Sequence, residues 1–146
     1  MPQHNRYILL TAVIILSFAS LENYFFNPKY AGEDWRGVSK YIEQYSRPGD
    51  LVLVSCGGAT GDMKLVFDYY YKGPIVSLAL PYVYGLNLAK AKALVAPYLR
   101  GYKRVWLVLS HDWLGQGFYR EALCAALEER HEILNSGVKL YLFEKK

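Results

Sequence analysis

Two short stretches of this 146-residue chain gather residue types that can do chemistry. The first is residues 56–62, where Cys56, Gly57, Gly58, Gly61 and Asp62 follow an apolar run. Glycine-rich backbone can turn its N–H groups towards an anion. This stretch, however, lacks both G-x-G-x-x-G and the Lys-Ser/Thr ending of a phosphate loop, and glycines also serve plain tight turns. The second is residues 110–113, where His111 and Asp112 offer a base and a carboxylate after another apolar run. Adjacent residues on an extended chain point apart, so the pair needs a third partner, for which Asp62 or Asp68 would have to approach. A polar loop whose Asp caps the next helix is the plainer reading. Cys56, Gly57, Gly58, Asp62, His111 and Asp112 are therefore the candidate ligand-binding residues, and no catalytic residue is assigned.

Other chemistry finds little support. Cys56 and Cys124 belong to no C-x-x-C pair, which removes zinc-knuckle and thioredoxin-like readings. A disulfide is open to them outside the cytoplasm, but Cys56 ends a predicted strand and Cys124 falls on the apolar side of a predicted helix. Two separate buried thiols is the expectation. His4 and His131 have no suitable neighbours, so no metal is expected, and neither is a cofactor. No G-x-S-x-G elbow is present. The net charge of +4 is scattered over positions such as Lys90, Lys92, Arg100, Lys103 and Arg104. These suit a solvated face or an anionic lipid surface, and nucleic acid is not an expected partner because no dense basic stripe exists. Among fourteen tyrosines, the run Tyr69, Tyr70, Tyr71 reads as core and interface packing ahead of a sugar platform.

The elements that must position these residues follow from periodicity. Glu33 and Asp34 open a helix whose Trp35, Val38, Tyr41, Ile42 and Tyr45 share a face, and residues 47–50 stop it. Apolar β-branched runs at 51–55, 75–79 and 104–109 read as strands covered on both faces. A short helix to Tyr70 lies between the first two, and a helix capped by Asn87 and reaching about Arg100 precedes the third, with Pro97 disturbing its end. Residues 117–130 read as a further helix. Residues 132–135 and 138–143 then form two strands about a tight turn at 135–137, the second alternating between unlike faces. Strands alternating with helices predict a parallel sheet. The expected fold class is α/β: a small three-layer, Rossmann-like sandwich, mostly parallel, with an antiparallel C-terminal edge hairpin. With the first strand central, the two candidate loops face each other at its carboxyl end, where such sheets bind ligands.

Residues 7–26, YILLTAVIILSFASLENYFF, stand apart from this pattern. The segment has no charge before Glu22, is close to the roughly 20 residues a membrane helix needs, and carries Tyr7 at one end and Tyr24, Phe25 and Phe26 at the other, suited to lipid–water interfaces. A cleaved signal peptide, with Ser17-Phe18-Ala19 as its small-x-small site, and a buried soluble helix are the competing readings. Arg6 precedes the segment, so an anchor or signal places the remainder outside the cytoplasm. The expected organisation is a transmembrane helix or signal anchor at 7–26 and an extracytoplasmic α/β domain at 30–146.

The run NYFFNPKYAGEDWRGVSKYIEQYSRPGDLVLV at residues 23–54 resembles the end of the last membrane helix and the start of the outer domain in one known family. These are the polytopic lipid-sugar-dependent glycosyltransferases, similar to dolichyl-phosphate-mannose protein mannosyltransferases and bacterial aminoarabinose transferases. Lys29-Tyr30 to Trp35-Arg36, Pro48-Gly49-Asp50, Phe67-Asp68-Tyr69-Tyr70, Arg104 to Val108 and the closing Tyr141-Leu142-Phe143 carry the resemblance across nearly the whole chain from about Tyr7. That family keeps its catalytic carboxylate in the first outer loop, and no catalytic residue carries over to this sequence.

The resemblance implies a non-catalytic outer domain, a fragment or truncated relative, that positions acceptor or stabilises a membrane transferase. Its partners would be the lipid bilayer and other membrane helices or a glycosyltransferase subunit. The alternative is a small stand-alone membrane-anchored enzyme or ligand-binding module using the two facing loops. An apolar helix at 7–26 also predicts detergent dependence or self-association.

Overall fold

The apolar runs that predict strands all become strands, and one five-stranded sheet collects them. The computed structural model describes residues 3–26, 32–56, 62–110, 117–135 and 137–145. In chain order the elements are α1 (Gln3–Phe26), α2 (Trp35–Tyr45), β1 (Leu51–Cys56), α3 (Asp62–Tyr70), β2 (Val76–Leu80), α4 (Leu88–Val95), β3 (Arg104–Ser110), α5 (Gly117–Cys124), β4 (Glu128–Asn135) and β5 (Val138–Glu144). The sheet order is β2-β1-β3-β5-β4. β1 lies between β2 and β3 and is parallel to both. β5 runs antiparallel to β3 and to the edge strand β4.

Alternation along each strand sends successive side chains to opposite faces, and both faces are covered. Leu51, Leu53, Val105, Leu107, Tyr141 and Phe143 pack with Ala91 and Val95 of α4 and with Tyr119, Ala122 and Leu123 of α5. Val52, Val54, Trp106, Val108, Leu140 and Leu142 pack with Trp35, Val38 and Ile42 of α2 and with Phe67 of α3. Each such aliphatic or phenyl side chain contributes about 1.5–3 kcal/mol on burial, so the sheet is held from both sides. At the amino end of β3, Asp50 is buried and accepts from Trp106 Nε1 at 2.9 Å, and Arg104 lies beside it and Glu144. Arg104 is thus tied into the structure and is not part of a free basic surface.

Several boundaries differ from the sequence reading. α5 ends at Cys124, and residues 128–130, expected as its last turn, already belong to β4. α4 ends at Val95, where Ala96 caps it and Pro97, without an N–H, opens a turn. β5 is an interior strand with both faces covered, so its two side-chain sets are alike in burial. Of the tyrosine run only Tyr71 is buried, while Tyr69 is 72% exposed. Cys124 is a free, exposed thiol and not a buried one. The Cys56 side chain lies outside the described ones.

Residues Met1–Gly32 form one compact unit and Glu33–Lys146 a second. In α1, Tyr7, Ile8, Leu9, Leu10, Leu16 and Phe18 are exposed, and Ser17 returns its hydroxyl to the Val13 carbonyl at 2.8 Å. Among the described residues no helix is long and apolar enough to cross a membrane. The described residues thus give no support to the transmembrane helix expected at 7–26.

Candidate functional site

The chain crosses from one side of β1 to the other between β2 and β3, so the topological switch point lies at the carboxyl ends of β1 and β3. There Cys56 and Ser110 are partners in the parallel ladder, and both candidate loops leave the sheet from neighbouring positions. Residues 57–61 and 111–116 lie outside the described residues, and with them Gly57, Gly58, His111 and Asp112. Cys56 closes β1 and Asp62 opens α3, with side chains outside the described ones. Asp68, considered as a third partner, is engaged elsewhere: its Oδ1 accepts from Ser77 Oγ at 3.1 Å and its carboxylate pairs with Lys64.

Glu33 is the residue the sequence reading misplaced. Asp34, not Glu33, caps α2, its Oδ1 accepting from Gly37 N at 2.8 Å. Glu33 is left to reach the end of β3, where it accepts from Ser110 Oγ and, at 2.8 Å, from Trp35 Nε1. Two adjacent acids ahead of a helix already carried this signal, because one cap position accepts one side chain. Ser55 and Ser110 are fully buried at the two strand ends, polar groups where the rest of each strand is apolar. Through these two bonds Glu33 ties the approach of α2 to the end of β3.

On the opposite face a groove of about 560 Å³ opens between α5 and the β4–β5 hairpin, lined by Arg120, Glu121, Cys124, Glu129, Lys139 and Tyr141 among others. Arg120 makes a forked pair with Glu129, Nε to Oε2 and Nη2 to Oε1 both at 2.8 Å. It also reaches Glu132 at 3.1 Å and stacks 4.4 Å from the Tyr141 ring centre. Hydrogen bonding from Arg120 holds the Glu129 carboxyl below its ordinary range, against a smaller opposing effect of burial, and the Arg120 guanidinium is pushed higher. Cys124 Sγ lies 3.5 Å from Glu129 Oε2, and burial together with that carboxylate pushes the thiol up. A thiol so placed stays protonated at neutral pH and is a poor nucleophile.

Tyr119, also on α5, is fully buried and donates to the Pro81 carbonyl at 2.5 Å. Burial pushes its phenol up to about 12. It acts as a strut between α5 and the end of β2. Among the described residues no group of His, Cys, Asp and Glu is arranged to hold a metal ion. The chain matches no family model and no curated protein.

Proposed function

We propose that this chain is the extracytoplasmic α/β domain, with its preceding apolar helix, of a membrane glycosyltransferase that uses a polyprenyl-phosphate sugar donor. It acts without a catalytic carboxylate of its own, in acceptor positioning or in stabilising the membrane part. The observation that carries the reading is the division of the chain into two units, one holding a 24-residue helix with exposed apolar side chains, the other a domain that closes its own two-sided core. The family resemblance of residues 23–54 and of the strand-bearing motifs supplies the rest.

Produced in bacterial cells, the chain should be recovered with the inner membrane, with residues 33–146 open to protease added from outside. Mixed with a polyprenyl-phosphate sugar and an acceptor lipid, it should transfer no sugar. Transfer by the chain alone, or a domain protected from outside, would overturn the reading. A second reading, a small membrane-anchored ligand-binding module, is favoured by the pairing of Cys56 with Ser110, which makes the two loops neighbours. Saturable binding of a sugar phosphate, lost on His111→Ala and Asp112→Ala, would support it.

A further inference from the structure

A different place in the domain has the chemistry of a binding site. Between α2 and α3 lies an open recess of about 660 Å³, lined by Arg36, Lys40, Glu43, Tyr69, Tyr70 and Lys72. Arg36 and Lys40 are one helical turn apart on α2, and like charges at that spacing destabilise a helix. Among the described residues neither has an ion-pair or hydrogen-bond partner. Two uncompensated cations held side by side, facing a recess, are an arrangement that an anion relieves.

The acids close by supply only part of that relief. Glu43 Oε1 accepts from the Lys72 backbone N–H at 2.5 Å, so it fixes the segment after α3 to α2. The Asp68 carboxylate is taken by Lys64 and Ser77. Lys72 itself is anchored, its Nζ donating to the Asp68 carbonyl at 3.0 Å and standing 5.9 Å from the Tyr69 ring centre. Three cations face one carboxylate, and the recess is net positive.

Its wall is aromatic. Tyr69 and Tyr70 stand edge to face with ring centres 5.0 Å apart, and both are exposed. The next tyrosine, Tyr71, turns inwards and stacks on Phe67, which fixes the backbone that presents the other two. Exposed rings beside a group of cations suit a ligand with an anionic head and an organic body that lies on a ring face.

We propose that the recess between α2 and α3 is a binding site for a phosphate ester, its phosphoryl oxygens on Arg36, Lys40 and Lys72 and its organic part against Tyr69. The guanidinium of Arg36 offers paired N–H donors that match phosphate geometry, and the two ammonium groups add charge. The inference rests on residues 33–146 and is independent of any role for α1.

The full chain, in neutral detergent micelles, is titrated with glycerol 3-phosphate and with monomeric dihexanoyl phosphatidylglycerol, followed by calorimetry and by the ring resonances of Tyr69 and Tyr70. At least one probe should bind saturably, shift those resonances, and bind at least tenfold more weakly to the R36Q/K40Q double variant. Both substituted side chains are exposed, so the variant keeps the fold, and an unchanged melting temperature verifies this. R36K/K40R should retain binding to within a few-fold. Binding of the soluble monoester identifies a free phosphate ester as the ligand class, and binding of the diester alone identifies a lipid headgroup. Probes that shift nothing beyond what sodium chloride does at equal ionic strength would overturn the proposal, as would equal affinity in wild type and R36Q/K40Q.

Discussion

Gly137 has φ +69°, and a Cβ added there would stand 2.8 Å from Glu33 Cγ and 3.4 Å from Glu33 Cα. Two separate requirements therefore fall on one position, a left-handed backbone and room for Glu33 to pass to Ser110. Gly101 has φ +95° with nothing within 4 Å, and so carries the first requirement alone. A left-handed non-glycine residue costs about 1–2 kcal/mol. Gly101→Ala should lose about that much in urea denaturation, and Gly137→Ala should lose clearly more. Equal losses would mean that Glu33 moves aside freely and that its contact with the end of β3 adds nothing. The turn at Gly137 was legible from Asn135-Ser136-Gly137 flanked by apolar runs. The role of Glu33 was not, because its partner Ser110 is 77 residues away and no local pattern encodes that contact.

Among the elements, β1 and β3 were legible because continuous apolar runs bounded by turn residues leave a chain little choice but a strand buried on both faces. β4 was not. Residues 117–130 keep a helical spacing of apolar residues to Leu127, and nothing local stops the pattern before Arg130. Pairing with β5 decides the matter: Glu129 meets Phe143, and a bulge between Glu129 and His131 resets the register. Once in the strand, Glu129 and Glu132 both come within reach of Arg120 on α5.

That link has a consequence in acid. Glu129 has a folded pKa below its ordinary 4.5, chiefly through the Arg120 hydrogen bonds. Its contribution is present above about pH 4.5 and is lost as pH falls through the lower folded value. The wild-type chain should therefore lose stability more steeply than Glu129→Gln below pH 4.5, and the difference between the two should be constant above it. Both side chains are partly exposed, so high salt should shrink the difference. Parallel acid-melting curves for the two proteins would contradict the assignment.

At the scale of the molecule, the domain at Glu33–Lys146 explains its own stability. Its sheet is covered on both faces, and its buried polar groups at either end of β3, Asp50 and Ser110, are hydrogen-bonded. The parallel arrangement of the first three strands and the C-terminal hairpin were expected from the sequence pattern, with the first strand taken as central, and the sheet has that order. Cys56 and Ser110, from which the candidate loops leave, are paired strand ends, but the chemistry of those loops rests on residues 57–61 and 111–116, outside those described. The recess of Arg36, Lys40 and Tyr69 could not be read from spacing, since it forms where two helices 17 residues apart in sequence come together.

The proposed function has α1 facing lipid. Leu9, Leu10, Ile14, Ile15, Leu16 and Phe18 are exposed on α1, and large exposed apolar patches drive association. Sedimentation velocity of the full chain, with and without a neutral detergent, tests this directly. A single protein copy per micelle in detergent, and self-associated species once the detergent is removed, are the expected result. A clean, detergent-free monomer at the same protein concentration would contradict it.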